Sequence, residues 1–119
     1  MGGTGDVFED RALAHLERAG LTLLERNFRT RFGELDLIMR DGATLVFVEV
    51  RYRRSRSHGG AAMSVTARKR ERLTRAAEGY LAAHPAHASR ACRFDVIAFE
   101  GPPEEASVDW QRAAFDAHS

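Results

Sequence analysis

Two alternating segments joined by a tight-turn signal constrain the fold of this 119-residue chain more than any other feature. Residues 34–40 and 44–52 alternate in the way that β-strands do. The Asp41-Gly42 dipeptide between them is typical of two-residue hairpin loops. The pattern therefore predicts an antiparallel β-hairpin in the middle of the chain.

The elements around this hairpin predict an α/β fold. In chain order they are a helix (6–19), a strand (21–30), the hairpin, a helix from Ser64 or Thr66 to about Ala83, a strand (92–99) and a final short helix (108–117). Three consecutive antiparallel strands followed by a helical crossover give a mixed central sheet flanked by helices.

Length and composition narrow the class of protein. A chain of 119 residues, 44% hydrophobic and 29% charged, fits a single globular domain, which we assign to residues 1–119. No apolar run approaches the ~20 residues of a membrane span, and the N-terminus lacks a signal pattern. Cys92 is the single cysteine, which excludes an internal disulfide scaffold. We therefore expect a cytoplasmic protein that does not contact a membrane.

The charges are strongly segregated along the chain. Residues 51–75 hold nine basic side chains against one acid, Glu71, so this segment carries +8 and the remainder −7, for a net charge of +1. Such asymmetry suggests a surface for an anionic polymer, and a solvated helix face beside a loop is the alternative. The candidate nucleic-acid contacts are Arg53, Arg54, Arg56, Arg68, Lys69, Arg72 and Arg75.

The hairpin carries acidic side chains that need an explanation. Strand alternation places Glu34, Asp36 and Ile38 on one face and Leu35, Leu37 and Met39 on the other. In the next strand, the face of Leu45 and Phe47 also carries Glu49 and Arg51. A two-residue Asp41-Gly42 loop puts Asp36 opposite Phe47, and a register different by two residues puts Asp36 opposite Glu49.

Like charges that share a sheet face require neutralisation. A hard divalent cation such as Mg²⁺ would provide it at Asp36 and Glu49, and Arg51 would then bind a phosphate. This arrangement is typical of metal-assisted phosphodiester hydrolysis. The alternative is a solvated face with simple salt bridges among these side chains.

Glu9 adds a third acid to this candidate site. It lies within the apolar stripe of the first helix, formed by Phe8, Ala12, Leu13, Leu16 and Ala19, so it would point toward the sheet. The alternative is a capping box, in which Asp6 is the N-cap and Glu9 reaches back to it.

Two stretches resemble the signatures of a known family. Gly33-Glu34-Leu35-Asp36-Leu37-Ile38 and residues 46–53, Val-Phe-Val-Glu-Val-Arg-Tyr-Arg, are similar to those of the YraN-like proteins of bacteria. That family is placed in the PD-(D/E)XK nuclease superfamily, close to Holliday-junction resolvases. The resemblance implies a restriction-endonuclease-like αβββαβ core, in agreement with the predicted order of elements.

The resemblance also implies roles for the site residues. Asp36 and Glu49 would be metal ligands, Glu9 would complete the site, and Arg51 occupies the position of the superfamily's lysine. Lys69, the only lysine of the chain, would then compensate from the second helix. The catalytic set is therefore Glu9, Asp36, Glu49 and Arg51, with Mg²⁺ or Mn²⁺ as the cofactor.

Three functions compete at this point. The first is a Mg²⁺-dependent DNA endonuclease that acts on branched DNA as a homodimer, which the hydrophobic final helix and the resemblance to resolvases motivate. The second is a non-catalytic nucleic-acid-binding module on a nuclease-like fold, which Arg51 favours. The third is a protein adaptor whose basic surface meets an acidic partner.

Overall fold

The fold is α/β, with a mixed β-sheet and one helix packed on each of its faces. The computed structural model describes residues 4–55 and 65–115, with side chains described from Val7 onward. Its main elements are helix α1 (Thr4–Arg18), strands β1 (Thr22–Thr30), β2 (Gly33–Asp41) and β3 (Thr44–Arg53), helix α2 (Ala67–Ala83), and strands β4 (Cys92–Glu100) and β5 (Ser107–Phe115). Short 3₁₀ turns cover Pro85–His87 and Pro103–Glu105.

The five strands form one sheet in chain order, β1-β2-β3-β4-β5. Strands β3 and β4 are parallel, whereas the other neighbouring pairs are antiparallel. Parallel neighbours need a crossover connection, and α2 lies in the connection between these two strands. The predicted mixed sheet with a helical crossover is confirmed.

Alternation along β3 divides the core into two layers. Leu45 and Phe47 pack toward α2, in a cluster with Leu73 and Tyr80. Val46 and Val48 pack on the other face with α1, in a cluster whose helical members are Phe8, Ala12 and Leu16. Because both faces are covered, β3 is the buried centre of the sheet. The predicted faces of this strand are confirmed.

The ends of the two helices follow from local chemistry. The hydroxyl of Thr66 caps α2 by accepting a hydrogen bond from Lys69 N at 3.1 Å. Helix α1 begins at Thr4, so Asp6 lies inside the helix and cannot be its N-cap. The capping-box interpretation of Glu9 is therefore wrong. Neither helix in the described part of the chain is long and apolar enough to cross a membrane.

The hairpin loop lies one residue later than the sequence predicts. Asp41 pairs with Thr44, so the loop is Gly42-Ala43, and Gly42 takes the positive φ of +60° that glycine tolerates. The same register pairs Leu37 with Val48. Extended by one residue, this register puts Asp36 opposite Glu49. It is therefore the second of the two registers that the sequence allows.

The predicted final helix is wrong, because the described part of that segment is strand β5. Residues 107–115 pair antiparallel to β4, whose backbone groups would otherwise form an open edge. Buried Asp95 holds the strand by accepting hydrogen bonds from Trp110 Nε1 and Ala113 N, both at 3.0 Å. The predicted homodimer therefore loses the apolar helix that motivated it, and it stays a prediction.

Candidate functional site

Near Asp36, successive side chains of β2 stop alternating between the two faces of the sheet, and this irregularity positions the acidic residues. Asn27 has a φ of +54°, in the left-handed region that asparagine tolerates, and the register places it opposite Asp36. Leu35 packs toward α2, although Leu37, two residues later, packs toward α1. The expectation that Leu35 and Leu37 share a face is therefore wrong. Simple alternation ends at Asp36.

Asp36 lies where β2 and β3 separate. The pairing of these strands runs from Asp41 and Thr44 to Leu37 and Val48. Beyond it, Oδ2 of Asp36 accepts a hydrogen bond from Val50 N at 2.9 Å, so a side chain satisfies the β3 backbone there. The acid therefore projects between the strands, and not from one continuous face.

The pKa of Asp36 is raised from 3.8 to about 8. Burial is the main cause, followed by the negative charge of Glu49, and Glu9 adds a smaller repulsion. The hydrogen bond from Val50 N opposes the shift, whereas a hydrogen bond shared with the Glu49 carboxylate favours the protonated acid. The protein thus holds Asp36 in an environment that disfavours its negative charge.

Three carboxylates converge at this position from two elements. One oxygen atom each of Glu9, Glu34 and Asp36 lies within 4.8 Å of the others. Glu9 comes from α1 with a side chain only 13% exposed, and the two other acids come from β2. The structure thus brings Glu9 to Asp36, as predicted, and it adds Glu34.

Glu49 lies on the α2 side, next to two cations. Its side chain is 6% exposed, and its Oε2 is 3.3 Å from Arg51 Nη1 and 3.6 Å from Lys69 Nζ. Arg51 comes from the same strand, whereas Lys69 comes from the first turn of α2. The sequence-based expectation that Lys69 approaches the site from the second helix agrees with this placement.

Arginines of β1 balance the outer side of the carboxylates. Arg26 Nη2 is 3.7 Å from Glu9 Oε1, and Arg29 Nε donates a 2.7 Å hydrogen bond to Glu34 Oε2. The salt bridges that the sequence offers as an alternative to a metal site are therefore present on the outer side of the carboxylates. They leave the repulsion at Asp36 in place, because the pKa of that acid stays raised.

The donor set suits a hard divalent cation. Mg²⁺ and Mn²⁺ prefer carboxylate oxygens, and Glu9, Glu34 and Asp36 supply them from neighbouring positions. Glu49 is close enough to Asp36 to share a hydrogen bond, so it can contribute a fourth carboxylate. A bound cation would relieve the repulsion that raises the pKa of Asp36.

An arginine-lined groove lies at the turn that precedes Glu34 in the chain. It has a volume of about 540 Å³ and is formed by the β1–β2 turn and the N-terminal half of α2. Three of the predicted nucleic-acid contacts, Arg68, Arg72 and Arg75, line it together. Arg53 and Arg54 lie at the end of β3, and Arg56 lies outside the described residues.

Sequence reasoning missed three residues of this region. The strand pattern predicts that Glu34 shares a face with Asp36 but does not make it a metal ligand, and it gives no role to Arg31 or Phe32. Two signals were available: Glu34 is two residues from Asp36, and Arg31-Phe32 is an unusual pair for a hairpin turn. Both were hidden because their role depends on how the turn lies against α2.

Comparison with known proteins identifies the family. Residues 8–99 match the profile of "Uncharacterised protein family UPF0102". The chain belongs to the UPF0102 family. It is 50% identical over 114 residues to the UPF0102 protein of Stutzerimonas stutzeri (strain A1501), covering 96% of this chain and 95% of that protein. It is 53% identical over 120 residues to a UPF0102 protein of Methylibium petroleiphilum, covering 95% and 93%.

The family assignment confirms the YraN-like part of the resemblance. The matched span contains the carboxylates Glu9, Glu34, Asp36 and Glu49 and the cation Lys69.

Proposed function

We propose that this chain is a metal-dependent endonuclease that hydrolyses phosphodiester bonds in DNA, built on the PD-(D/E)XK nuclease plan. One observation carries the proposal. Carboxylates of α1 and β2 cluster where β2 and β3 separate, and Glu49 of β3, which contacts Asp36, lies within 4 Å of two cations. The described order of elements also agrees with an αβββαβ core, to which β5 is added.

Glu9, Asp36 and Glu49 would hold the cofactor, Mg²⁺ or Mn²⁺, and Glu34 would add a further oxygen. When bound, a divalent cation supplies positive charge that lowers the pKa of water and stabilises negative charge on a phosphate. Because metal ligands must be deprotonated, the raised pKa of Asp36 makes metal affinity fall as the pH drops below about 8.

The two cations of the site would act on the phosphate itself. Arg51 and Lys69 both lie within 4 Å of Glu49, so a phosphate next to the carboxylates is within their reach. Arg51 offers a planar fork that binds two oxygens, and Lys69 offers a compact ammonium. Together they would orient the scissile phosphate and stabilise the charge that develops on it.

The groove indicates nucleic acid as the substrate. Arg68, Arg72 and Arg75 line one wall of it, beside the segment that leads into Glu34. Arginines on a helix face contact phosphates without reading sequence, so we expect affinity with little sequence preference. Arg53 and Arg54, at the end of β3, would extend this contact. Arg56, outside the described residues, stays a predicted contact. A resolvase-like action on branched DNA, as a cytoplasmic homodimer, is the corresponding biological hypothesis.

The decisive experiment compares the wild type with Asp36→Asn. Linear, flapped and four-way DNA is incubated with Mg²⁺, Mn²⁺ or EDTA, and cleavage is followed on denaturing gels. We expect cleavage by the wild type with metal, none in EDTA, and none by Asp36→Asn. Asp109→Asn, an exposed acid on β5, is the matched control and should cleave normally. Equal cleavage by both variants would remove Asp36 from the site.

A second function is favoured by Arg51. An arginine stands where the superfamily has a lysine, and its guanidinium is in an ion pair with Glu49 at 3.3 Å. A guanidinium cannot give up a proton, so the site would then bind nucleic acid without cleaving it. Salt-dependent DNA binding together with no cleavage in Mg²⁺ or Mn²⁺ would establish this module in place of the enzyme.

A further inference from the structure

An aromatic side chain occupies the tip of the β1–β2 hairpin. Thr30 pairs with Gly33, so the two loop residues are Arg31 and Phe32. The Thr30 hydroxyl donates to Gly33 O at 3.1 Å and accepts from Phe32 N at 3.0 Å. These bonds hold the backbone of the loop in one conformation, so the position of Phe32 is defined.

Packing of the core does not explain this phenylalanine. Among the described residues, Phe32 belongs to neither of the two hydrophobic clusters, and its side chain is only half-buried. Hairpin loops usually carry small or polar residues, because a large apolar side chain there remains in water. The contacts of this ring therefore lie outside the core, in the groove.

The Phe32 ring is surrounded by positively charged side chains in the groove. The guanidinium carbon of Arg31 lies 4.9 Å from the ring centroid, and that of Arg75 lies 5.3 Å from it. Arg68 and Arg72 complete the cationic lining, and Glu71, paired with Arg75 at 3.2 Å, is the single acid. Arg31 and Arg75 both lie over the ring and are exposed. A base would therefore stack on the ring in place of one guanidinium, while the remaining arginines bind the phosphates of the nucleotide.

The groove and the carboxylate cluster each include one of two consecutive residues of β2. Gly33 lines the groove, and Glu34, the next residue, is one of the three clustered acids. The volume of about 540 Å³ lies in the range of ~300–1,000 Å³ that small-ligand sites occupy. The groove is therefore large enough for one nucleotide, and one of its lining residues precedes Glu34 in the chain.

We propose that this groove seats one unpaired nucleotide of the substrate, with its base against Phe32 and its phosphates on Arg68, Arg72 and Arg75. A base inside a duplex has both faces covered by its neighbours, so only a single-stranded or flipped nucleotide can stack on the ring. The substrate would thus be DNA with an unpaired segment beside the cleaved bond, such as a flap or a junction arm. Its placement beside the cleaved bond rests on the proposed nuclease function, whereas the seat itself is defined by Phe32.

The test is a thermodynamic cycle between the base and the ring. Binding of a ten-nucleotide thymidine strand and of an equally long abasic strand is measured in EDTA, where no cleavage occurs, at one low salt concentration. Because both strands carry the same phosphates, the ratio of their Kd values measures the contribution of the bases to binding. We expect the wild type to bind the thymidine strand about tenfold more tightly, as for one stacked base.

Three variants make the cycle specific. Phe32→Leu keeps an apolar side chain without a ring, and it should bind both strands equally, with the affinity of the wild type for the abasic strand. Phe32→Tyr should restore the preference. Phe115→Leu removes another aromatic side chain with an arginine near its ring, outside the groove, and should keep the preference. Circular dichroism melting confirms that each variant is folded.

The outcomes separate this inference from the proposed nuclease. A preference that survives in Phe32→Leu overturns the seat, even if the protein cleaves DNA. A preference that Phe32→Leu abolishes supports the seat, even if no metal-dependent cleavage is found. Tighter binding of a polyglutamate peptide than of the thymidine strand would mark the groove as a protein-docking site and would also overturn it.

Discussion

The ammonium of Lys69 on α2 lies 3.6 Å from Oε2 of Glu49 on β3, although the two residues are twenty positions apart in the chain. Arg51 reaches the same oxygen from within β3, at 3.3 Å. The site therefore combines a guanidinium and an ammonium on one carboxylate. In the proposed nuclease, Lys69 would supply the ammonium that the superfamily pattern has two residues after Glu49.

Replacing Lys69 with methionine should reduce the cleavage rate by about 10²–10³-fold, as loss of one preorganised donor to the transition state does. The rate is measured in single turnovers with the enzyme in excess, so that weakened binding does not contribute. Arg68→Met removes an exposed charge from the neighbouring position and should change affinity but not this rate. A wild-type rate for Lys69→Met would exclude the ammonium from catalysis.

Arg51 should act through its charge. Arg51→Lys is expected to retain substantial cleavage, whereas Arg51→Ala should lose about 10²–10³-fold in rate, because either cation stabilises the developing negative charge. The same single-turnover assay measures both. If the wild type is inactive because an ammonium is required at position 51, Arg51→Lys should instead create cleavage. Unchanged rates in both variants would show that Arg51 only balances surface acids.

Asp36 should make the metal-free protein less stable as the pH rises. Its folded pKa of about 8 lies above the unfolded value of 3.8, so the folded state holds a proton that the unfolded chain releases. This contribution to stability is complete below the unfolded pKa and is lost progressively up to about pH 8. Asp36→Asn removes this pH-dependent contribution. The Tm of the variant minus the Tm of the wild type should therefore increase from pH 5 to pH 8.

The measurement is thermal unfolding in EDTA, where about 1 kcal/mol corresponds to roughly 4 °C for a chain of this size. Asp109→Asn should show no such pH-dependent difference. Adding Mg²⁺ should stabilise the wild type at pH 8 and leave Asp36→Asn nearly unchanged. A constant difference in Tm across this pH range would contradict the raised pKa.

Glu34 should contribute to metal affinity, because one of its oxygens lies within 4.8 Å of those of Glu9 and Asp36. Glu34→Gln is expected to weaken Mn²⁺ binding by about tenfold or more, the loss that even outer partners of a metal site cause. Calorimetric titration gives the affinity, and Glu17→Gln, an exposed acid of α1, is the control. Equal affinities would restrict Glu34 to its salt bridge with Arg29.

The arginines of α2 should carry the salt dependence of DNA binding. Replacing Arg68, Arg72 and Arg75 together with alanine should flatten the slope of log affinity against log salt by up to about three units. A control variant loses the same charge from three exposed arginines outside the groove, Arg18, Arg40 and Arg112. An equal change in both variants would mean that net charge, and not this groove, governs binding.

Much of the fold follows from patterns that act over a few residues. The hairpin, the two faces of β3 and the cap of α2 at Thr66 were predictable, because alternation and capping depend on neighbouring residues. The same patterns failed at residues 107–115. There the apolar residues suit a short helix, but the open edge of β4 and the buried Asp95 draw the segment into the sheet.

The sequence by itself therefore determined which acids and cations the chain offers, and which side of β3 carries Glu49 and Arg51. Only the tertiary structure decided that Glu9, Glu34 and Asp36 meet. Their meeting requires the left-handed backbone of Asn27, opposite Asp36, and the separation of β2 from β3. It also decided that Lys69 reaches Glu49. Contacts between residues far apart in the chain depend on how helices and strands pack, and no local periodicity encodes that packing.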